Sequence, residues 1–519
     1  MTAGEAVVRA LADHGVELVF GIPGTHTLEL HRHLAAHGIR HVTPRHETGG
    51  GYAADGYARI TGRPGVLLVT SGPGVINAAT AAATAYADSV PMLILSPAMP
   101  THVEGRDTGF LHETKNQGAA MDALVAWSHT ASDPDDAVEA IHAAFAHFTS
   151  ARPRPVHVQI PIDFLRGTVP VKVRPAAQSQ NRGAERPRGS LKGTVPIKEA
   201  LRLLAGAGRP VVVAGGGARG ADLAALGMPV ITTVNGKGVL DERHPLSLGA
   251  SIRLKAAQRF LSEADVVLAI GTELGESDLW GDVPPLQRVI RVDIDPAQRD
   301  KNVRAEVAII GDAREVSAAL AQSDRATVDL DGVRAAIRAE ALEDGAPWLP
   351  LMAALDEALG ERGILAGDST QAAYYGAVHF LDMDPRRRFI YPTGYATLGY
   401  ALPAAIGAKL AAPDRRVIAL IGDGGLLFTV AELATAAELG LPLPVVVPNN
   451  AGYGEIRDQM VEAGIAPVGV DLKPPDLPAL GGAFGGAGVR VEDAGALGPV
   501  LREALERPGP TVIEVPAPG

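Results

Sequence analysis

The sequence predicts an α/β protein with three doubly wound domains, each built around a parallel sheet. Its 519 residues are about three times the length of an ordinary domain. Short apolar runs alternate along the chain with longer amphipathic segments, which is typical of parallel strands joined by crossover helices. Two polar stretches interrupt the alternation. We therefore place the domains at residues 1–175, 191–324 and 345–519.

Composition restricts the class of function. A net charge of -12 and a pI near 5.7 leave no basic surface stripe for nucleic acid. The chain has no cysteine, which excludes disulfides and thiol chemistry. Because we find neither a secretory leader pattern nor an apolar run of membrane-spanning length, we expect a cytoplasmic protein that binds no membrane.

The first domain begins with a helix that Thr2 caps and that runs to about residue 14. A strand at 39–43 leads to Glu47, which starts a helix of small residues. The next strand, at 66–70, ends in a Gly-Pro-Gly turn around Pro73 that feeds another helix. This order of elements predicts a parallel doubly wound sheet.

Polar residues from about 176 to 190 predict an exposed linker to the central domain. That domain has strands at 210–214, 230–233, 266–270 and 289–294. Its three glycines at 215–217 lack the spacing of a dinucleotide fingerprint, so a tight turn is favoured over a nucleotide site. A second polar crossing at 322–344 leads to the third domain.

The stretch from 421 to 452 organises the third domain. It reads as a strand, a Gly-Asp-Gly-Gly turn at 422–425, a helix and a second strand ending at Asn450. Because both strands end at the same edge of a parallel sheet, Asp423 and Asn450 should converge there. A carboxylate, an amide oxygen and a backbone carbonyl suit Mg²⁺, and the glycines let backbone N–H groups approach a phosphate. The residues predict a magnesium-bridged diphosphate.

This turn and its distance from the pair Asn449-Asn450 resemble the thiamine diphosphate signature. The segments 44–59, 65–77 and 393–407 resemble the acetolactate synthase family, and the likeness covers nearly the whole chain. It implies thiamine diphosphate and Mg²⁺ as cofactors, and pyrimidine-binding, central and diphosphate-binding domains in that order. It also implies a homodimer or a dimer of dimers, a homotetramer, with each active site at a subunit interface.

The resemblance also implies roles for individual residues. Glu47 becomes the catalytic carboxylate beside the aminopyrimidine, and the carbonyl of Ala396 accepts a hydrogen bond from that ring. Leu398 holds the cofactor in its V shape, where the family usually has Met. The other implied cofactor contacts are Pro73, Asn77, Thr370, Gln371, Asp423, Gly424, Gly425 and Asn450, and the metal ligands are Asp423, Asn450 and the backbone oxygen of Gly452.

Departures from the family pattern bear on the substrate. Glu455 and Gln459 stand where acetolactate synthases place a Met and a Trp in the substrate pocket. In that family an arginine-bearing segment holds FAD, and residues 271–278 replace it here. Binding of FAD by this chain is therefore doubtful. Several segments are closer to the 5-guanidino-2-oxopentanoate decarboxylase branch: 21–26, 111–117, 271–280 and 454–458.

Within that branch pattern, Glu455 suits a charge-assisted pair with a guanidinium. The alternative, a solvated acid at a helix start, has equal weight. We expect His112 and Glu113 to relay protons near the reactive carbon, although structural hydrogen bonding explains them equally well. His26 and Gln117 complete the expected substrate residues.

The sequence therefore predicts a lyase, a thiamine diphosphate- and Mg²⁺-dependent decarboxylase of a 2-oxo acid such as 5-guanidino-2-oxopentanoate. One alternative is a transferase, a carboligase of the acetolactate synthase type. Another is a non-catalytic, cofactor-binding regulatory subunit, against which the intact Glu47, Asp423 and Asn450 count.

Overall fold

The computed structural model describes residues 1–169, 193–321 and 328–518. In these residues it has three parallel sheets, one in each predicted domain, so the predicted fold class is confirmed. The linker expected at 176–190 lies outside the described residues. Among the described helices none is long and apolar enough to cross a bilayer.

The first domain is a parallel sheet with helices on both faces. Its strands are β1 Leu18–Phe20, β2 Arg40–Val42, β3 Gly65–Leu68, β4 Met92–Ala98, β5 Ser128–Thr130 and β6 Val156–Pro161. Its helices are α1 Ala3–Asp13, α2 Leu28–Leu34, α3 Glu47–Thr61, α4 Pro73–Asp88, α5 Gln117–Asp122, α6 Pro134–Ser150 and α7 Ile162–Leu165. The sheet order is β2-β1-β3-β4-β6-β5, and Thr2 caps α1 as predicted.

The central domain has a smaller sheet. Its helices are α8 Val195–Ala205, α9 Lys255–Ser262, α10 Glu276–Leu279 and α11 Ala313–Leu320. Its strands are β7 Pro210–Ala214, β8 Val230–Thr232, β9 Val266–Ile270, β10 Val289–Asp293 and β11 Val307–Ile310. The sheet order is β11-β10-β9-β7-β8, and the central strands are fully buried, as helices on both faces require.

The third domain repeats the topology of the first. Its helices are α12 Asp331–Gly345, α13 Leu349–Leu359, α14 Val378–Phe380, α15 Ala401–Ala411, α16 Asp423–Thr429, α17 Glu432–Glu438, α18 Gly454–Glu462, α19 Leu477–Ala483 and α20 Leu497–Glu506. Its strands are β12 Ile364–Gly367, β13 Arg388–Ile390, β14 Val417–Leu420, β15 Leu443–Asn449, β16 Ala487–Arg490 and β17 Pro510–Pro516. The order β13-β12-β14-β15-β17-β16 matches that of the first sheet, element for element.

The prediction of a polar connecting segment at 322–344 is wrong from residue 331 onward, because helix α12 begins there. Ile337 and Ala341 face inward while most of the helix surface is solvated, which explains the polar sequence. The carboxylate of Glu340 accepts the backbone N–H groups of Lys255 (2.6 Å) and Ala256 (2.7 Å) at the start of α9. The helix therefore packs against the central domain as it leads into the third.

Helices α3 and α15 bind the first domain to the third through very close backbone contact. A Cβ at Gly56 would overlap the backbone of Ala404. The adjoining Asp55 is fully buried and accepts from Tyr400 Oη (2.5 Å) and Arg59 Nε (2.6 Å). Burial raises the pKa of Asp55, and Arg59 opposes that rise. This interface sets where the start of α3 lies relative to the third domain.

We expect Gly56→Ala to lower the free energy of unfolding by about 2 kcal/mol, because the added methyl group forces α3 away from α15. Gly332→Ala is the matched control, since nothing lies within 4 Å of a Cβ in that exposed turn of α12. Urea-unfolding midpoints measure both variants. Equal midpoints for the two variants would contradict the close packing.

Candidate active site

Asp423 lies at the carboxyl edge of β14 and begins α16. Its side chain is 1% exposed. Its Oδ2 accepts the N–H of Gly452 (3.0 Å), and its Oδ1 lies 3.4 Å from the backbone nitrogen of Asn450. Since β14 and β15 are neighbouring parallel strands, the two loops meet at one edge, as expected. Burial raises the pKa of Asp423.

The oxygen atoms at this edge suit a hard cation. The Oδ1 atom of Asn450 is buried and has no hydrogen-bond partner, which is costly for an amide oxygen unless a ligand satisfies it. The described residues contain no group of three or more His, Asp or Glu side chains arranged for a metal. A site with one carboxylate and one amide oxygen fits Mg²⁺, which relies on phosphate oxygens and water for its other ligands.

A cavity of about 420 Å³ opens beside these oxygens. It brings together most of the predicted cofactor residues from four segments of the third domain: Thr370, Gln371, Ala396, Leu398, Asp423, Gly424, Gly425, Asn450 and Gly452. A Cβ at Gly424 would lie 2.7 Å from the ring of Tyr453, so only glycine allows this wall of the cavity. The backbone is thereby left accessible to a phosphate group.

Sequence reasoning missed the part played by Asp368, which ties two of these loops together. Its side chain is fully buried and accepts the N–H groups of Ser369 (2.8 Å), Gly399 (3.2 Å) and Ala401 (3.0 Å). Burial raises its pKa to about 6. Asp368 follows the buried strand β12 as Asp423 follows β14. This repeated position after a strand is the sequence signal that could have identified it.

The loop that Asp368 holds presents Leu398 to the cavity and keeps Ala396 in a left-handed conformation, with φ of 48°. Ala451, beside the Asn450 oxygen, has φ of 55°. Non-glycine residues in this region carry strain of about 1 kcal/mol or more, which is typical of functional loops.

Glu455 lies on the cavity wall at the start of α18. Its carboxylate accepts from Tyr375 Oη, at 3.1 Å from each oxygen, and from Gln459 Nε2 (3.2 Å). Gln371, expected to contact the diphosphate, points its amide at Asp458 (2.8 Å) and more loosely at Glu455 (3.4 Å). The carboxylate is therefore held by neutral donors, and no described cation forms an ion pair with it.

Arg253 and Trp280 form the wall contributed by the central domain, and sequence reasoning missed the arginine. Its guanidinium lies 4.1 Å from the Trp280 ring centroid and bonds to His379 and the carbonyl of Tyr374. Among the described residues no carboxylate lies within ion-pair distance of it. Burial lowers its pKa to about 10, so it stays cationic at neutral pH.

Glu47 belongs to a second group of side chains, at the carboxyl edge of the first sheet. It is 8% exposed, and its Oε2 accepts from Asn77 Nδ2 (3.0 Å). The turn that begins α4 with Pro73 packs against it, with a Cβ at Gly74 reaching 3.4 Å from Glu47 Oε1. The predicted residues Glu47, Pro73 and Asn77 are thus together.

Two histidines lie along the same edge. His26 Nδ1 bonds to Ser71 Oγ (2.6 Å), and its ring centroid is 5.0 Å from that of His112. Burial and the neighbouring His112 lower the pKa of His26, which favours its neutral form. His112 has φ of 65°, and its Nδ1 lies 3.5 Å from Thr70 Oγ1.

Two predicted residues have contacts that differ from the expected ones. The Glu113 carboxylate accepts the N–H groups of Thr108 and Phe110, both at 3.0 Å, and so closes its own loop. The Gln117 amide accepts from the N–H of Gly72 (2.6 Å) and donates to Gln159 Oε1 (2.7 Å), beneath the turn before α4. Both side chains are engaged in holding backbone or core groups.

The two groups stay apart within one chain. Neither Glu47 nor any of His26, His112, Glu113 and Gln117 lines the cavity that contains Asp423. The predicted catalytic carboxylate and the predicted diphosphate site of the same chain therefore occupy different places.

A second cavity, of about 320 Å³, lies where the three domains meet, beside the glycine turn at 215–217. Glu273 on its wall pairs with Arg152, Arg154 and Lys301. Burial raises the pKa of Asp278 there to about 7. These acids come from the segment that replaces the FAD-binding pattern, and the doubt about FAD stays a prediction.

We expect Asp423→Asn to weaken Mg²⁺-dependent binding of thiamine diphosphate at least about 100-fold, because the metal loses its charged ligand. Isothermal titration of the protein with thiamine diphosphate and Mg²⁺ measures the affinity. Asp414→Asn, an exposed acid after α15, controls for loss of charge. Wild-type affinity in Asp423→Asn would exclude this carboxylate as the metal ligand.

Comparison with known proteins agrees with this geometry. Family models for the thiamine pyrophosphate enzyme N-terminal TPP binding domain, central domain and C-terminal TPP binding domain match residues 1–121, 197–320 and 368–515. The "Probable 2-ketoarginine decarboxylase AruI" of Pseudomonas aeruginosa is 45% identical over 535 residues, covering 99% of this chain and 94% of that protein.

Two acetolactate synthases show a lower similarity over a comparable length. The "Probable acetolactate synthase large subunit" of Methanocaldococcus jannaschii is 32% identical, with 99% of this chain and 92% of that protein covered. The "Acetolactate synthase isozyme 3 large subunit" of Escherichia coli is 32% identical, with 98% and 92% covered. The resemblance predicted from the motifs is confirmed, and the chain belongs to the thiamine pyrophosphate enzyme family.

Proposed function

We propose that the protein is a thiamine diphosphate- and Mg²⁺-dependent decarboxylase that acts on 5-guanidino-2-oxopentanoate, also called 2-ketoarginine. The observation that carries the proposal is the Glu455 carboxylate on the wall of the cofactor cavity, which is held by neutral donors alone. The similarity over 99% of the chain to a probable 2-ketoarginine decarboxylase supports the same substrate.

Asp423, Asn450 and the backbone oxygen of Gly452 would hold Mg²⁺ in this proposal, and the metal would offset the negative charge of the diphosphate. Thr370, Gly424 and Gly425 would line the diphosphate, while Leu398 and the carbonyl of Ala396 would support the thiazolium and aminopyrimidine rings. When bound, thiamine diphosphate supplies the electron sink for loss of CO₂ from a 2-oxo acid.

Glu47 would be the catalytic residue beside the aminopyrimidine of a cofactor held by a second copy of the chain. The separation of Glu47 from the Asp423 cavity within one chain supports a homodimer or a dimer of dimers with shared active sites. The large apolar side chains of Leu427 and Phe428 support it too, since they follow the diphosphate turn and are 38% and 59% exposed.

Glu455 would bind the guanidinium end of the substrate. A guanidinium offers a planar set of donors to a carboxylate, and that pair is strong when it is shielded from water. Tyr375 holds the carboxylate with two contacts of 3.1 Å, and Glu455 lines the cavity, where a cation could reach it. Trp280, 47% exposed, adds an aromatic surface to the same cavity, with its ring centroid 6.4 Å from that of Tyr375.

His26 and His112 would transfer the proton that replaces CO₂ in the product. Their rings are 5.0 Å apart, and the lowered pKa of His26 favours the neutral imidazole, which would relay a proton by accepting it from water at one ring nitrogen and releasing one from the other. The contacts of Glu113 and Gln117 suit positioning of this loop and turn. The proposal includes a cytoplasmic homotetramer and no FAD.

A carboligase of the acetolactate synthase type is the second candidate, supported by the buried, unpaired Arg253. A carboligase needs a cation for the carboxylate of an acceptor 2-oxo acid, and Arg253 lines the cavity. Incubating the protein with thiamine diphosphate, Mg²⁺ and single or paired 2-oxo acids separates the two functions, since a decarboxylase gives an aldehyde and a carboligase a longer 2-hydroxy ketone.

Glu47→Gln should lower kcat at least about 1,000-fold while leaving the diphosphate bound, because the carboxylate acts on the aminopyrimidine and not on the metal site. Release of CO₂ measures turnover, and titration calorimetry measures cofactor binding. Glu5→Gln, a first-turn acid of α1, is the control. Unchanged turnover in Glu47→Gln would rule out the mechanism.

Glu455→Gln should reduce kcat/KM for 5-guanidino-2-oxopentanoate about 100-fold and for 2-oxopentanoate less than about threefold, since only the first substrate carries a cation for the carboxylate. Steady-state kinetics with both substrates test this. Glu462→Gln, at the last residue of the same helix, is the matched control. Equal losses for the two substrates would remove the guanidinium argument.

A further inference from the structure

Glu432 is a buried carboxylate to which the proposed mechanism gives no part. It begins α17, nine residues after Asp423, and it is 1% exposed. Burying a carboxylate so completely is costly unless hydrogen bonds compensate for the lost water. Its partners therefore indicate what it is for.

Both oxygens of Glu432 are engaged, and the partners of one lie in the first domain. Oε1 accepts the backbone N–H groups of Arg45 and His46, each at 3.0 Å, and Oε2 accepts from Thr435 Oγ1 (2.7 Å). Among the described residues no lysine or arginine side chain lies within ion-pair distance of this carboxylate. Its function is therefore to bind backbone, and the backbone it binds immediately precedes Glu47.

The first turn of α3 is shaped to admit this side chain. A Cβ at Gly49 would overlap the Glu432 carboxylate, so the glycine lets the carboxylate approach the helix axis. Asn77 holds the Glu47 carboxylate from the opposite side at 3.0 Å. The backbone before Glu47 and the side chain of Glu47 are thus each held by a separate partner.

We propose that Glu432 is a positioning residue for the catalytic Glu47: by accepting the two N–H groups before α3, it sets where the Glu47 carboxylate points. This inference rests on the proposed function of Glu47. It also means that Asp423 and Glu432, which are close in the chain, would serve two different active sites. Asp423 would hold the cofactor of its own chain, and Glu432 would position the Glu47 that acts on the cofactor of the second copy. The two charge-assisted hydrogen bonds end at Arg45 and His46, the two residues just before Glu47. Bonds so close in the chain are enough to control the orientation of the Glu47 side chain.

The test measures hydrogen–deuterium exchange at C2 of bound thiamine diphosphate, by acid quench and NMR, in the full-length protein with saturating thiamine diphosphate and Mg²⁺. Glu432→Ala should slow exchange about 100-fold, because a displacement of about 1 Å in a catalytic group costs about that much. Glu432→Gln keeps an acceptor oxygen but loses the charge, so it should slow exchange about 3- to 10-fold.

Glu438→Gln is the matched control. Glu438 lies on the same helix and pairs with Arg45, but through the arginine side chain and at an exposed position. We expect wild-type exchange in this variant. Cofactor affinity should change less than about threefold in all three variants, since none of them alters the Asp423 site.

Wild-type exchange in folded Glu432→Ala and Glu432→Gln would overturn the inference, as would a slowing that cofactor saturation removes. If Glu432→Ala does not fold, the exchange rates of Glu432→Gln and Glu438→Gln are compared instead, and equal rates would overturn the inference. Glu47→Gln in the same assay separates the two proposals. Rapid exchange in Glu47→Gln refutes the proposed function, whereas slow exchange there with wild-type exchange in the Glu432 variants refutes the positioning alone.

Discussion

The rest of the site depends on the burial of the Asp423 carboxylate between the ends of β14 and β15. Two backbone N–H groups approach it at 3.0 and 3.4 Å, and the Asn450 amide oxygen beside it has no partner. A buried carboxylate and a buried amide oxygen without a partner are both costly where water is scarce, and a cation bound to them would offset that cost. The glycines of the turn, the left-handed Ala451 and the adjacent cavity lie around these two groups, and in the proposed function they would bring that cation to a diphosphate.

Much of the fold was predictable, because parallel strands and crossover helices leave a regular pattern in sequence. The site was predictable where its residues end such strands, as with Asp423, Asn450 and the start of α3 at Glu47. The pattern failed at α12, whose solvated face resembles a linker in composition although Ile337 packs inward. Composition reports the exposed surface of a helix more strongly than its narrow buried stripe.

Contacts between distant segments were beyond the sequence. Glu432 meets His46 across 386 positions, and its neighbours in sequence give no sign of that partner. Arg253 likewise reaches the cofactor cavity from the central domain, and it resembles any other polar residue before a helix. Glu113 shows the reverse case. As a carboxylate beside a histidine it suggests a proton relay, yet it accepts backbone N–H groups of its own loop. Residue type suggests a chemistry, but the partners decide whether the group is free to perform it.

Charge balance within the cavity links the substrate to the fold. Arg253 is cationic and Glu455 anionic, and each is held by neutral groups on a different wall. No ion pair joins the two among the described residues, so a ligand with both charges could pair with each, whereas a 2-oxo acid with an uncharged side chain would leave Glu455 without a cation. A 2-oxo acid with a guanidinium tail has that character. Because an arginine held on the departing carboxylate would oppose loss of CO₂, Arg253 in a decarboxylase would suit initial capture of the anion, whereas in a carboligase it would bind the carboxylate of the acceptor.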